Sequence, residues 1–496
     1  MQRPAWWLIA LLCLMAFAFQ GARGIWEPDE GRYSATGINM LKSGDWLVPT
    51  VDGEHPHLTK PPITYWALAA SMGTFGRNEW AARLPWALAF VGTGLLLFGL
   101  GRRLCPARPW LPPVVWALSL APVAGNNIIS TDALLTLFET AAMFAFVEAW
   151  LRDGPDRRRW VTGMWLCWGL AFMTKGPPGL LPLGAMLAFL AAHDRRQLRD
   201  LFPWTGVLGF VVVAFTWFAV LVYQQPERLG YFVGNEVYDR VFTARHDRNA
   251  QWYGGFKIYL PVLLAGALPW WVLALAAAGG PRAAWQRLDG RIRDRDRETL
   301  LLLYWILVPL AVFFLARSRL ELYVLPLFVP LALAMSRALS DWEWLSTRRL
   351  ATVASVTAIA LLALKATAAY WPHDRDARLM AAQIREVVDL HDIEEIAFFD
   401  MRAFFGLTMY LDVHAESVRV GGPDRPHSRQ LATEDDLCAE LGERERNVFA
   451  MKRARASQFS ASVTACGPYA AQEIGAFHGD GHEIALFAIR PTAPHD

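Results

Sequence analysis

Acidic side chains at the predicted starts of two helices are the first candidates for chemistry. In the segment WEPDEGRY, Pro28 is suited to the first turn of a helix and Asp29 and Glu30 fall within that turn. Asp132 directly precedes a second apolar helical run. A carboxylate at either place can accept a proton from an attacking hydroxyl group, although it can also simply cap the helix.

Basic residues of unusual type or placement could bind an anion. The chain has 48 Lys and Arg residues, of which six are Lys, and Lys60 in TKPP and Lys175 in TKGPP each precede a pair of prolines. A lysine there can pair with a carboxylate or hold a phosphate. Arg245 and Arg248 flank His246 and suit a phosphate headgroup. Because no diagnostic ligand spacing is present, a divalent metal ion at His246 stays an open alternative.

These residues are connected by long apolar runs, and a run of about 20 apolar residues is long enough to cross a bilayer. The sequence predicts a mainly α, polytopic membrane helix bundle with about 11 to 13 transmembrane helices. Glu139 lies two turns below Asp132 and either extends the site or packs inside the bundle. The eleven runs are 5–23, 80–101, 110–125, 133–151, 160–176, 177–193, 203–223, 256–279, 299–316, 320–338 and 349–370.

Arginine placement orients the runs. Short connections such as 102–109, 152–159 and 194–200 are rich in Arg, whereas alternate connections carry little positive charge. The positive-inside rule therefore predicts a cytoplasmic N-terminus and places residues 24–79, the first outer loop, on the periplasmic face. The apolar stretch 63–76 is too short to cross, so we expect an amphipathic helix at that surface.

The last part of the chain has a different composition. Residues 371–496 hold 21 acidic and 13 basic side chains, a net charge of −8, so the first 370 residues carry +10. This division predicts a transmembrane domain at 1–370 and a soluble periplasmic α/β domain at 371–496. Strands are expected near 395–400, 416–420, 446–450 and 484–489, after a helix at 374–390. Cys438 and Cys466 lie in this domain, where a disulfide is chemically permitted.

Several motifs, taken together and in order, resemble the bacterial membrane glycosyltransferases of the lipid A aminoarabinose transferase type. This family is related to the protein O-mannosyltransferases (glycosyltransferase family 39/83 type) and belongs to the GT-C class. The resemblance covers roughly residues 24–340. The motifs are DEGRY, GDWLVPTVDG, KPPITYW, AARLP, ISTDALLT, MTKGPPGLLPL and SRLELYVLPLFVPLAL.

The resemblance implies transfer of a sugar from a polyprenyl-phosphate donor to an acceptor at the periplasmic face of the inner membrane. The expected acceptor is lipid A or another envelope glycolipid, and nucleic acid is excluded as a partner. Matched by position, the expected catalytic residues are Asp29, Asp132 and Lys60. The expected lipid-phosphate contacts are Arg32, Tyr33, Lys175, Arg245, Arg248 and Tyr323, and His246 is the weakest of the site assignments, as a metal ligand.

Two departures from the family pattern and two alternatives accompany this prediction. Thr59 stands where the family often has Glu, which weakens a metal site with His246, and Glu321 places an acid near the expected phosphate region. A protein O-glycosyltransferase would share most of these motifs. A transporter or flippase also needs many spans and intramembrane charges, but its site would lie at the membrane midplane.

Overall fold

The computed structural model describes residues 6–226, 228–230, 249–340, 346–389, 391, 393–420, 435–442 and 447–492. The described residues are mainly helical and include one six-stranded sheet near the C-terminus. The predicted fold class, a membrane helix bundle with a small C-terminal α/β domain, is confirmed. Arg245, His246 and Arg248 lie outside the described residues.

The helices follow the apolar runs of the sequence closely. The described α-helices of four or more residues are Trp6–Phe17, Asp29–Ser43, Ile63–Phe75, Glu79–Leu104, Leu111–Ala117, Leu120–Asn126, Asp132–Trp150, Gly154–Lys175, Leu181–His193, Arg195–Leu198, Trp204–Gln224, Gly254–Gly266, Trp270–Ala277, Pro281–Arg293, Arg297–Leu315, Phe328–Ser340, Thr347–Tyr370, Ala377–Val387, Thr408–Leu411, Leu437–Glu440 and Ala456–Cys466. Among the 3₁₀ helices, Glu321–Leu327 leads directly into Phe328–Ser340.

Six helical segments of the described chain are long and apolar enough to cross a membrane. They are Glu79–Leu104, Asp132–Trp150, Trp204–Gln224, Arg297–Leu315, Glu321–Ser340 and Thr347–Tyr370. A seventh span results if Gly254–Gly266 and Trp270–Ala277, which bend by 73° at their junction, cross together. The chain is therefore a multi-pass membrane protein.

The remaining four of the eleven predicted runs form helices that are short, broken or charged. Trp6–Phe17 and Pro177–His193 are apolar but shorter than 18 residues. The run at 110–125 breaks between two seven-residue helices. Gly154–Lys175 carries three consecutive arginines in its first turns. A count of 11 to 13 spans stays a prediction, since length and composition alone select six or seven.

Packing divides the chain into two compact units. The first, here called the membrane unit, comprises Met1–Gln20, Thr59–Thr64 and Arg83–Thr367. Its core is aliphatic and aromatic, and the large side chains of Trp168, Trp270 and Trp305 are fully buried in it. Trp204–Gln224 and Thr347–Tyr370 leave most of their apolar surface exposed, as expected of helices that face lipid.

A lysine in the Thr347–Tyr370 helix donates hydrogen bonds to backbone carbonyl groups at the C-terminal end of the Trp6–Phe17 helix. The ammonium group of Lys365, 7% exposed, donates hydrogen bonds to the carbonyl oxygens of Met15 and Ala16 at 2.6 and 3.4 Å. Both carbonyls lie in the last turn of Trp6–Phe17, where intrahelical donors run out. Lys365 therefore satisfies backbone acceptors that would otherwise be buried in an apolar surrounding.

We expect the substitution Lys365→Met to destabilise the membrane unit by about 1–3 kcal/mol, because buried carbonyl oxygens lose their donor. The measurement is thermal unfolding in detergent. Lys257→Met, at an exposed lysine of the same unit, is the matched control, since its side chain is open to solvent. Equal melting temperatures for the two variants would contradict this role of Lys365.

The second unit, here called the outer unit, comprises Gly21–Leu58, Tyr65–Ala82 and Ala368–Asp496. Its sheet has the order β3-β2-β1-β4-β6-β5. Strands β1 to β4 are parallel to one another, and β6 and β5 continue the sheet in antiparallel pairing. The strands are β1 Glu395–Phe399, β2 His414–Arg419, β3 Asp435–Asp436, β4 Asn447–Lys452, β5 Tyr469–Gly479 and β6 His482–Pro491.

Both faces of this sheet are covered, as in α/β proteins. On β1, Ile396 and Phe398 join one hydrophobic cluster, and Ala397 and Phe399 join another on the opposite face. The helix and four strands predicted from the sequence are all present within a few residues of the expected bounds. Strands β3 and β5 were not predicted.

The permitted disulfide between Cys438 and Cys466 is formed. It joins the short Leu437–Glu440 helix to the last residue of Ala456–Cys466. Both helices expected in the first outer loop are present. Asp29–Ser43 ends at Gly44, whose φ of 71° is left-handed, and Ile63–Phe75 buries one face through Tyr65, Leu68, Ala69 and Met72.

Candidate active site

A buried ion pair in the membrane unit brings two of the predicted site residues together. The Lys175 ammonium group donates a hydrogen bond to the Asp132 carboxylate, and both side chains are 7% exposed. The two residues are 43 positions apart in the sequence. The sequence left Lys175 either to pair with a carboxylate or to hold a phosphate, and the family resemblance favoured phosphate. A buried, paired acid and base at this position favour a functional site over two separate capping or anchoring charges.

The local sequence explains why each charge lies at a helix end. Asp132 is the first residue of Asp132–Trp150, and Lys175 is the last residue of Gly154–Lys175. Gly176, with φ of 74°, and the two prolines after it end the second helix. An anion at a helix N-terminus and a cation at a helix C-terminus are both favoured by the backbone dipoles. The pair is therefore stabilised where it lies.

Aromatic and acidic neighbours complete this cluster. The Lys175 nitrogen lies 4.1 Å from the ring centroid of Tyr323, a cation–π arrangement. The Tyr323 ring packs in turn against Phe313, with centroids 6.4 Å apart. Glu139, 3% exposed, interacts electrostatically with both Lys175 and Asp132. We call Asp132, Glu139, Lys175 and Tyr323 the lysine cluster.

The outer unit carries a second pair of predicted residues. Arg32 contacts the Asp29 carboxylate at 2.6 Å, one turn along the Asp29–Ser43 helix. The Asp29 side chain is 55% exposed, so its carboxylate is open to solvent and to a reactant. Tyr33 is buried, and its ring packs against Tyr65 with centroids 5.6 Å apart. Asp29 and Arg32, not Tyr33, present polar groups to the outside.

The neighbouring acid, Glu30, has a structural role. It is 3% exposed and forms two hydrogen bonds with the Arg23 guanidinium group, both at 2.7 Å, and a third with the Trp26 N–H at 2.9 Å. Neither Asp29 nor Glu30 caps the helix, because Pro28 occupies the cap position. The structure thus separates a solvent-facing carboxylate from a buried structural one.

Sequence reasoning missed a third carboxylate in this segment, Glu27. Its side chain is buried, and one carboxylate oxygen accepts a hydrogen bond from the Gly406 N–H. Burial raises the pKa of Glu27 to about 8, although Arg402 and Arg32 lower it. One feature of the sequence could have drawn attention to Glu27: it lies two residues before Asp29, between Trp26 and Pro28.

The remaining predicted site residues are Lys60, Arg245, His246 and Arg248. Lys60 is half-buried and belongs to the short Thr59–Thr64 part of the membrane unit. The catalytic assignment of Lys60 stays a prediction, and the ion pair that the structure shows for Asp132 is with Lys175. Arg245, His246 and Arg248 fall among residues that the structure does not describe.

Among the described residues, one group of acidic side chains is close enough together to share a metal ion, and it lies far in sequence from all of these positions. Glu395, Glu416 and Glu440 are buried, and their carboxylate oxygens lie within 4.8 Å of one another. Glu440 also accepts a hydrogen bond from Asn447. This group was not predicted from the sequence. Glu395 lies on β1, Glu416 on β2 and Glu440 in the Leu437–Glu440 helix.

Comparison with known proteins agrees with this architecture. Residues 59–219 match the family model described as dolichyl-phosphate-mannose-protein mannosyltransferase. The crystal structure of ArnT from Cupriavidus metallidurans bound to undecaprenyl phosphate superposes with a TM-score of 0.73 and 19% identity, covering 99% of both chains. An arabinofuranosyltransferase, AftD from Mycobacteria, gives a TM-score of 0.57 at 14% identity, covering 98% of this chain and 40% of that one.

Curated relatives share more of the sequence. The undecaprenyl phosphate-alpha-4-amino-4-deoxy-L-arabinose arabinosyl transferase of Edwardsiella ictaluri is 33% identical over 339 residues, which are 67% of this chain and 58% of the relative. The enzyme of the same name from Aeromonas hydrophila is also 33% identical, over 66% of this chain and 59% of the relative. The matched region thus spans less than two thirds of the length of these relatives.

The helix bundle and its C-terminal α/β domain define a multi-pass membrane protein of the GT-C fold class. Within that class, the chain belongs to the family of the bacterial aminoarabinose transferases, as the sequence motifs indicated.

Proposed function

We propose that this protein transfers a sugar from a polyprenyl-phosphate donor to an acceptor outside the cytoplasm, with lipid A or another envelope glycolipid as the acceptor. The observation that carries the proposal is the buried Asp132–Lys175 pair beneath Tyr323. The names of the relatives support the donor class, since each is described as acting with undecaprenyl phosphate-linked aminoarabinose.

The placement of the pair supports transfer over transport. Asp132 and Lys175 lie at the ends of their helices, whereas transporter sites lie near the membrane midplane, where helices are interrupted. A helix end is where a membrane-embedded lipid tail and a polar headgroup are both accommodated. A polyprenyl phosphate combines such an apolar tail with a charged headgroup.

Lysine and tyrosine supply the chemistry that the leaving group needs. In the proposed reaction, an acceptor oxygen forms a bond to the anomeric carbon while the bond from that carbon to the phosphate oxygen breaks. Negative charge then develops on the departing polyprenyl phosphate. The ammonium group of Lys175 has three N–H donors, so it can hold Asp132 and still stabilise this charge, with the Tyr323 ring packed against it.

Asp29 is assigned the second role, that of accepting the proton of the attacking hydroxyl group. Its exposed carboxylate and its partner Arg32 suit this role better than the buried Glu30 does. An acceptor that is already an ionised phosphate needs no base, and Asp29 would then orient it. A single displacement of this kind inverts the configuration at the anomeric carbon.

The proposed setting is the bacterial inner membrane, with a cytoplasmic N-terminus and a periplasmic C-terminal domain. Two observations support this orientation. The arginine-rich connections alternate along the chain as the positive-inside rule requires. The Cys438–Cys466 disulfide belongs to the C-terminal domain, and such bonds persist in oxidising compartments such as the periplasm.

Mass spectrometry of envelope lipids from a deletion strain tests the proposal. We expect lipid A, or another glycolipid, to lose the mass of one sugar, and the wild-type gene to restore it. Loss of a sugar from peptides instead would favour protein O-glycosylation, to which the family model matching residues 59–219 also points. Unchanged lipids and unchanged glycopeptides would contradict a transferase.

A further inference from the structure

Glu27 lies in a closely fitted pocket of the outer unit. Its side chain is 4% exposed, and one carboxylate oxygen accepts a hydrogen bond from the Gly406 N–H. Two glycines make room for it. A Cβ atom at Gly406 would come within 2.7 Å of the same oxygen, and a Cβ atom at Gly31 would overlap it as well. Larger residues at either position would therefore displace the carboxyl group.

The backbone around Glu27 is attached to the C-terminal domain. The Glu27 N–H donates to the Arg375 carbonyl oxygen at 2.9 Å, and the Ala377 N–H donates to the Ile25 carbonyl oxygen at 2.9 Å. The Ile25 N–H donates to the Tyr410 hydroxyl group, also at 2.9 Å. Together with the side-chain bond to Gly406, four hydrogen bonds hold the three residues 25–27 against sequence positions more than 340 residues away.

The same region of the C-terminal domain also contacts two later positions of the first outer loop, Lys42 and Arg77. Asp412 forms ion pairs with Lys42 and Arg77, both at 2.7 Å. These bonds lower the pKa of Asp412 to about 2, chiefly through Lys42 and then Arg77. Arg77 additionally donates to the Met409 carbonyl oxygen at 2.9 Å. Positions 406–412 thus fix the Asp29–Ser43 helix just before its beginning, through Gly406, and near its end, through Asp412.

From these contacts we propose that Glu27 is a positioning residue. Through its bond to Gly406, the C-terminal domain fixes the first turn of the Asp29–Ser43 helix and so orients Asp29 and Arg32. Glu27 does not touch a reactant in this role, because its carboxyl group is enclosed. The proposal gives the C-terminal domain a definite task, which is to hold the catalytic segment of the first outer loop.

The surroundings of Glu27 determine which substitution should preserve this role. The charged groups that act on its carboxyl group are Arg402, Arg32 and Asp29. Its second oxygen has no hydrogen-bond partner among the described residues. Glutamine keeps an oxygen that can accept the Gly406 N–H and adds no charge, whereas alanine removes the bond and leaves a cavity.

Hydrogen–deuterium exchange of the intact protein in lipid nanodiscs tests the positioning itself. For Glu27→Ala we expect faster exchange in peptides covering residues 25–35, with near wild-type exchange for Glu27→Gln. Glu54→Ala, at an exposed glutamate of the same loop, is the matched control. Unchanged exchange in Glu27→Ala would overturn the inference, whatever reaction the protein performs.

The kinetic arm rests on the proposed function. Because misplacing a catalytic group by about 1 Å can cost about 100-fold in rate, we expect Glu27→Ala to lower kcat by that order with an unchanged KM for the polyprenyl-phosphate donor. Glu27→Gln should restore most of the rate. If Glu27→Ala fails to fold, Gly406→Ala applies the same test, since its methyl group presses on the carboxyl group. Wild-type kcat in folded Glu27→Ala would overturn the inference, whereas an inactive wild-type protein would count against the proposed function alone.

Discussion

Replacing Lys175 with methionine should lower the turnover of sugar transfer by at least about 100-fold, the usual cost of removing one group that stabilises developing charge. The substitution removes the cation assigned to the leaving phosphate. It also leaves the Asp132 carboxylate, 7% exposed, without its ion-pair partner. A buried charge that loses its partner costs about 3–5 kcal/mol of stability, so lost activity alone would be ambiguous.

The double variant Asp132→Asn with Lys175→Met separates these two effects. Because it removes both charges, it should recover much of the melting temperature lost in the single variant, but none of the turnover. Turnover is measured as released polyprenyl phosphate, and stability by thermal unfolding in detergent. Lys257→Met, at an exposed lysine of the membrane unit, is the control for the substitution itself. Recovery of turnover together with stability would show that the pair is structural.

The second large effect is expected for Asp29→Asn. Asparagine keeps the size of the side chain but cannot accept the proton of an attacking hydroxyl group, so turnover should fall by about 100- to 10,000-fold. The Asp29 side chain is 55% exposed and its ion pair with Arg32 is open to solvent. Exposed pairs contribute little to stability, and we therefore expect normal expression and an unchanged melting temperature.

Asp45→Asn provides the comparison for Asp29→Asn. Asp45 is an exposed aspartate of the same loop whose carboxylate oxygen accepts hydrogen bonds from the Leu47 and Val48 N–H groups, a role that asparagine can fill. Transfer by this variant should match that of the wild type. Turnover by Asp29→Asn close to that of Asp45→Asn would remove Asp29 from the mechanism.

Local signals in the sequence predicted the elements that carry the candidate residues. Asp29–Ser43 begins after a proline and ends at a glycine, and both signals act on adjacent backbone positions. Strand β1 has an apolar sequence, EIAFF, and its bounds were predicted within one residue. Strand β5, which mixes polar residues and small ones over YAAQEIGAFHG, has no such pattern. Its place is set by pairing with β6.

Pairing between distant residues could not be predicted from the sequence. Nothing local indicates that the partner of Asp132 is Lys175, because the choice depends on which helices pack together and on where each one ends. The burial of Glu27 likewise depends on Gly406, 379 positions away. Its neighbours in sequence do not indicate burial, because the C-terminal domain supplies the Gly406 contact that encloses it.

The most direct measurement of the central claim uses the purified full-length protein in lipid nanodiscs. It is supplied with a polyprenyl-phosphate-linked aminopentose and with lipid A, and both lipids are followed by mass spectrometry. The account predicts that lipid A gains the mass of one sugar residue while an equal amount of free polyprenyl phosphate appears. A donor lipid that stays intact, with lipid A unchanged, would contradict it.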